Sequence, residues 1–328
     1  MGFSFKKPRI SLLLRQPVRK LLLEGTVLVA VLILLSASAP LDFPVHSIVR
    51  VPKGVILGDI AGRLEEKDII RAPRLFIAAV EFFGDEKKVK SGHYLLNNPE
   101  NAISLAFRFA RGKFGVPAVS VRIPEGFSSH EIIKLFDGRF FNLDRKEFVR
   151  LAAENEGYLF PDTYFFYPTM AADEIVEIMR ENFNEKTKSL TADILRSEHS
   201  QKETIIMASI IEREALKEKD KFLVSGVLWN RIKIGMPLQV DAPFAYISDK
   251  STYELTRADL AGNSPYNTYK NRGLPPTPIG NPGLVAIRAA IEPTESSYLY
   301  YLSDRSGNVY YAKTFEEHKL NRIKYLGK

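Results

Sequence analysis

The stretch Ser200–Asp220, SQKETIIMASIIEREALKEKD, constrains this chain more than any other. Ser200 followed by Glu203 is a capping box, S-x-x-E, which marks a helix start. At 100° per residue, Ile205, Ile206, Met207, Ala208, Ile210, Ile211, Ala215 and Leu216 cover most of the circumference. A helix apolar nearly all round is a buried one. Read as one helix through Asp220, it places Ile211 and Ile210 one turn before Glu214, with Met207 a further turn back. Partial desolvation there disfavours the charged carboxylate and raises its pKa. In that register Glu218 pushes the same way and Lys217 opposes it. A carboxyl kept protonated near neutral pH suits a general acid. Surface glutamates and ion-paired glutamates are commoner, and Arg213 and Lys217 are available partners, so the helix marks a site without naming a reaction.

Charge distribution narrows the location. Of 46 Lys and Arg and 39 Asp and Glu, six basic residues (Lys6, Lys7, Arg9, Arg15, Arg19, Lys20) and one acid (Glu24) precede residue 41. The rest carries 40 basic and 38 acidic residues, so the body is almost neutral and nucleic acid is not an expected partner. Gly25–Ala39, GTVLVAVLILLSASA, is uncharged, and Leu21–Leu23 extend it across Glu24. At about 15–19 residues it is short against the roughly 20 of a membrane span. It reads as a cleaved signal peptide with Ala37-Ser38-Ala39 at the cleavage site, or as an uncleaved signal anchor. The long basic leader favours the anchor. Basic residues on its amino-terminal side put that end in the cytoplasm and the body outside.

Two segments repeat, Val49-Arg50-Val51-Pro52-Lys53-Gly54 and Val121-Arg122-Ile123-Pro124-Glu125-Gly126. Each reads as strand, Pro-Gly turn, then helix. Ser128 with Glu131 and Asp144 with Glu147 mark helix starts, and Ala72–Phe83 and Asn101–Arg111 read as helices around a strand at Val89–Leu96. Glu156–Pro168, EGYLFPDTYFFYP, holds six aromatics in thirteen residues, too irregular for a helix and too interrupted for a central strand. It is either a sugar-stacking cleft or a core-filling loop. Glu174–Phe183, Thr191–Arg196, Phe222–Ile234 and Ile287–Ile291 read as helices. Met236–Asp241 is an extended alternation, and Tyr298–Leu302 and Val309–Ala312 are strands joined by a turn. His318 falls on a terminal helix.

The absence of cysteine excludes disulfides and thiol catalysis. The five histidines (His46, His93, His130, His199, His318) have no metal-ligand spacing, so neither metal nor cofactor is expected. There is no P-loop, no G-x-G-x-x-G and no G-x-S-x-G elbow. Carboxylate chemistry in an aromatic, Asn/Gln-rich setting remains, with glycosidic cleavage the natural class.

Five ordered motifs carry a family resemblance: EGYLFPDTY at Glu156–Tyr164, MASIIERE at Met207–Glu214, WNRIKIGMPLQVD at Trp229–Asp241, YNTY at Tyr266–Tyr269 and GLPPTPIGNPG at Gly273–Gly283. In these, and in the basic anchor, the chain resembles the endolytic murein transglycosylase family, the YceG-like or MltG proteins of bacteria. The resemblance implies an α+β chain: a cytoplasmic leader (1–20), a transmembrane signal anchor (21–39), a small LysM-like glycan-positioning region (42–125) and a larger mixed α/β catalytic domain (126–328). It implies a single-pass protein of the cytoplasmic membrane that cuts nascent peptidoglycan glycan strands between MurNAc and GlcNAc, leaving 1,6-anhydro-MurNAc ends beside the peptidoglycan synthases. The family's catalytic glutamate maps to Glu214, acting as acid and then as base, which leaves Glu212 an ion-paired neighbour. Gln239, Asp241, Asn267, Thr268 and Tyr269 match motifs expected around the cleft, in sugar-binding or Glu-orienting roles. Many members continue L-Q-x-D with Pro-Thr, whereas here Ala242-Pro243-Phe244 follow Asp241, so that loop is expected to differ. The rival readings are a catalytically silent peptidoglycan-binding scaffold and a water-using muramidase.

Overall fold

A computed structural model describes residues 20–21, 23–27, 31, 37–52, 54–84, 89–141, 143–248, 256, 262–304 and 306–327. Nine of the nineteen residues of the stretch expected to anchor the chain (22, 28–30 and 32–36) lie outside them, and no described helix is long and apolar enough to cross a membrane. The chain divides into two compact units, Met1–Pro117 and Ala118–Lys328.

The first unit pairs β1 (Ser47–Val51) antiparallel with β2 (Gly92–Leu96), Ser47 opposite Leu96 and Val51 opposite Gly92. Helices α1 (Leu57–Glu66), α2 (Pro73–Phe83) and α3 (Ala102–Arg111) cover it. Pro73 opens α2, where a missing N–H costs nothing. The Asn101 side chain accepts from Ser104 N at the start of α3, and Gly112 closes it at φ 65°. Leu64, Phe76, Tyr94, Leu96, Leu105 and Phe109 form a continuous core.

In the second unit, β3 (Val119–Arg122) pairs antiparallel with β4 (Thr163–Phe166). The chain therefore divides ahead of β3, which the sequence had grouped with the LysM-like region. Both copies of the repeat are a strand followed by a left-handed glycine, Gly54 at φ 77° and Gly126 at φ 80°. The aromatic stretch 156–168 was expected to hold no central strand, and its end forms β4, an edge of a two-stranded sheet past the Pro161 interruption. Leu159, Phe160, Tyr164 and Phe166 are buried there, so this stretch chiefly fills core, and Phe165 alone stands far into solvent.

Helices α4 (Ser129–Ile132), α5 (Arg145–Glu154) and α6 (Ala172–Thr187) close one core over this sheet. A second core surrounds α8 (Gln201–Glu214), reached through the short α7 (Thr191–Arg196). Every residue from Thr204 to Ile211 is buried, packed against α9 (Glu218–Lys233) and α11 (Leu284–Ile291). Each buried isoleucine contributes roughly 1.5–3 kcal/mol relative to exposure. A short helix, α10 (Ala242–Ser248), follows Asp241. The hairpin β5 (Tyr300–Ser303) and β6 (Val309–Ala312), backed by α12 (Phe315–Leu326), completes the unit.

Candidate active site

The expected helix through Asp220 is broken. α8 ends on Glu214, Ala215 turns to extended backbone (φ −132°, ψ 126°), and α9 starts only at Glu218. Lys217 and Glu218 are thus not helical neighbours of Glu214, and the charges that act on it come from other segments. Glu214 is part-buried at the end of a helix whose preceding turns bury Met207, Ile210 and Ile211 completely.

The Glu214 carboxylate accepts from the Tyr301 hydroxyl at 2.8 Å and from the backbone N–H of Ala242. Burial pushes its pKa up to about 7, and the neighbouring Asp241 carboxylate adds to the rise. The Tyr301 and Ala242 hydrogen bonds and the charge of Arg231 oppose it. Desolvation wins because each opposing contact stabilises the anion only in part. A carboxyl titrating near 7 gives and takes a proton with almost equal ease.

Asp241 accepts from the Tyr269 hydroxyl at 2.6 Å, and burial together with that carboxylate pushes the Tyr269 phenol well up. The segment bearing Asp241 is held by Thr268, whose hydroxyl donates to Val240 O at 2.7 Å and accepts from Val240 N at 3.2 Å. Gln239 N donates to Thr268 O at 2.9 Å. These bonds replace the extended alternation expected over Met236–Asp241 with irregular backbone in which Gln239 sits at φ 51°. A non-glycine residue there costs about 1 kcal/mol or more, which the Thr268 bonds offset. The Gln239 side chain is exposed. Asn267 is buried; its side-chain oxygen accepts from Tyr269 N at 3.0 Å and its amide donates to Gly262 O at 2.8 Å. Asn267 and Thr268 therefore hold the segments, Asp241 and Tyr269 carry side-chain groups that act on Glu214 or on each other, and Gln239 is exposed to solvent.

Glu212 takes the neighbouring role expected for it. It is ion-paired with Lys221, both nearly buried, and accepts from Gly283 N at 3.0 Å. Glu156 lies in a separate buried network. Its oxygens accept from Ser129 N at 3.0 Å, Ser129 Oγ at 2.8 Å and Asn281 Nδ2 at 2.9 Å, and it also bonds the Tyr246 hydroxyl. Burial raises it to about 7. The Asn281 oxygen accepts from Gly157 N and Leu159 N, both at 2.9 Å, so the E-G-Y and G-N-P motifs are one hydrogen-bonded unit.

Sequence reasoning missed Tyr301 and Arg231. Arg231 is buried on α9 and donates to Leu299 O at 2.6 Å and to Leu238 O at 2.5 Å, over the Tyr300 ring. Its signal was present as a lone cation in the apolar run Val224–Ile232. Tyr301, on a short strand remote in sequence, had none beyond alternation. Among the described residues no cluster of His, Cys, Asp or Glu could hold a metal ion.

Residues 49–324 match the sequence profile of the YceG-like family. A Bacillus subtilis (strain 168) protein named endolytic murein transglycosylase is 31% identical over 305 residues, covering 85% of this chain and 84% of that one. A protein of the same name from Streptococcus pneumoniae serotype 2 is 26% identical over 323 residues, and the chain spans 58% of its length. The crystal structure of a yceG-like protein from Listeria monocytogenes superposes with a TM-score of 0.57 at 29% identity, covering 84% of this chain and 98% of that one. With more than half its length inside the family profile and a relative above 30% identity over most of both chains, this chain belongs to the YceG-like family.

Proposed function

We propose that the chain is an endolytic peptidoglycan transglycosylase that cleaves between MurNAc and GlcNAc, with Glu214 as acid and then base. The observation that carries this reading is the Glu214 carboxyl, raised to about 7 by burial and the Asp241 charge and held by Tyr301. Protonated Glu214 gives its proton to the glycosidic oxygen as the C1–O bond breaks and the GlcNAc hydroxyl leaves. Positive charge develops on the MurNAc ring, where Asp241 supplies negative charge nearby. The Glu214 carboxylate then takes the proton of the C6 hydroxyl as that oxygen closes on C1. The proton returns to Glu214, no water is consumed, and the product ends in 1,6-anhydro-MurNAc. Exposed Gln239 and the Asp241–Tyr269 pair are the sugar-facing groups of this scheme.

In the same reading the apolar segment 21–39 anchors the protein once in the cytoplasmic membrane, amino terminus inside. The first unit is a LysM-like module that positions glycan beside the synthases. The basic leader ahead of the apolar segment supports this orientation. The test is to incubate the intact chain and Glu214→Gln, both in detergent, with uncross-linked peptidoglycan and to read the products by mass spectrometry. Anhydro ends from the intact chain alone are expected. Hydrated ends would replace lysis with hydrolysis, and equal anhydro release from both would remove Glu214 from the mechanism.

A further inference from the structure

We propose that Tyr301 is the positioning residue of Glu214, and that Arg231 fixes Tyr301 and Asp241 around it by tying their two segments to one helix. The inference rests on the reading of Glu214 as the acid.

Tyr301 meets Glu214 through one contact, its hydroxyl on Oε2 at 2.8 Å. A carboxyl on the last residue of a helix can turn about three side-chain bonds. The Tyr301 hydroxyl on Oε2, with the Ala242 N–H, holds it in one orientation, so the acid and base steps use a carboxyl fixed in place. A buried phenol suits this task, because burial and the Glu214 charge keep it un-ionised and therefore a donor throughout.

Arg231 works one layer further out. Its Nε bonds Leu299 O and its Nη1 bonds Leu238 O. Leu299 immediately precedes β5, which carries Tyr301, and Leu238 immediately precedes Gln239–Asp241. These two segments, sixty residues apart, supply Tyr301 and Asp241, and one guanidinium on α9 bonds both segments. The planar fork makes this possible; a lysine ammonium offers one point of attachment on a flexible stem. The Tyr300 ring beneath the guanidinium, 5.3 Å from its centroid, keeps the cation in place.

The groups that face Glu214 from the surrounding elements are Tyr301 on β5, Arg231 on α9, and Asp241 and Tyr269 on the two loop segments. Three of these bear on its acidity in known directions: Tyr301 and Arg231 favour the carboxylate, and Asp241 disfavours it. Removing the Tyr301 hydroxyl therefore moves the Glu214 titration upward, and a merely structural residue would not move it.

The experiment titrates the Glu214 carboxyl carbon by NMR in the full chain and in Tyr301→Phe, alongside the pH profile of kcat/KM on uncross-linked glycan. In Tyr301→Phe the midpoint is expected to rise by about one pH unit, a tenfold change in proton affinity. The alkaline limb should move with it, and kcat should fall about tenfold while KM stays within twofold. An unchanged midpoint overturns the role of Tyr301. Should Tyr301→Phe not fold, the Tyr301 Cζ resonance of the unsubstituted chain is followed instead; it must titrate with Glu214, and a flat response overturns the proposal. Arg231→Lys keeps the charge and loses the fork, so kcat should fall about tenfold with the midpoint within about half a unit. Full kcat in Arg231→Lys overturns the role of Arg231. Lytic activity retained by Glu214→Gln would remove the acid itself while leaving the titration result standing, so the two failures are separable.

Discussion

Glu156→Gln tests the buried network that joins the E-G-Y and G-N-P motifs. Glu156 is 3% exposed and its two oxygens serve two sides: Ser129 N and Oγ on one, Asn281 Nδ2 on the other. Glutamine has nearly the same shape but a single accepting oxygen. Either Ser129 or Asn281 then faces an amide donor, and a buried donor without acceptor costs about 1–3 kcal/mol. The parent carries a cost of its own that depends on pH. Burial raises Glu156 from an ordinary 4.5 to about 7, so the folded chain holds a proton that the unfolded chain has already released. Parent stability therefore falls as pH rises from about 4.5 through 7 and is flat above. At 1.36 kcal/mol per unit the loss is about 3 kcal/mol. Glutamine has no such slope.

The expected outcome is a crossing. At pH 4.5 the parent should be more stable than Glu156→Gln by about 1–3 kcal/mol. By pH 8 that advantage should shrink by about 3 kcal/mol, which brings it to zero or reverses it. Glu214 is raised in the same way, but it is present in both proteins and cancels in the difference. Urea unfolding followed by Trp229 fluorescence measures this directly, since it is the only tryptophan and lies in the core around α8. A stability difference that stays constant from pH 4.5 to 8 would refute the raised pKa and the burial that explains it.

Gly157→Ala should destabilise by about 3 kcal/mol or more in the same assay, because φ is +89° and a Cβ would lie 2.5 Å from Pro278 and 2.7 Å from Ile205. Glu212→Gln strands a nearly buried Lys221 whose next acid, Glu125, is 3.8 Å away, at an expected cost of about 3 kcal/mol. Adding Lys221→Met should restore most of it; a double variant no more stable than the single would refute the stranded-charge account. Thr268→Val leaves Val240 N and O unbonded beside the strained Gln239, so a loss of about 1–3 kcal/mol by urea unfolding should accompany a fall in kcat.

The helices were legible wherever a cap and an apolar period coincided. Ser200 with Glu203, Asp144 with Glu147 and Ser128 with Glu131 all open helices where the sequence marks them. The end of α8 was not legible, because Ala215-Leu216-Lys217 contains no glycine or proline and favours helix by propensity. Its break is a tertiary effect: Ala215 is buried in the core and Lys217 bonds Asn308 across the β-hairpin. The same limit hid Tyr301. Periodicity places a residue on a face, but only the Tyr301–Glu214 hydrogen bond shows which phenol reaches the end of α8. Asn267 and Thr268 mark the opposite error, since motif membership drew attention to polar residues that are buried and bonded to the backbone.

Two carboxyls of the second unit, Glu156 and Glu214, are each raised to about 7, and α10 touches both. The Ala242 N–H serves Glu214 and the Tyr246 hydroxyl serves Glu156. A loss of activity above pH 7 thus has two candidate sources, the acid proton of Glu214 or the cost of the buried charge that Glu156 acquires beneath α10. The signs coincide, so a pH profile of the parent alone cannot separate them. Glu156→Gln does, because it removes the second titration and leaves the first. If its alkaline limb stays near 7 while the pH slope of its stability shrinks by the Glu156 share, the limb belongs to Glu214. If the limb disappears together with that share of the slope, the pH dependence of turnover comes from the support under α10, and Glu214 loses its claim to set it.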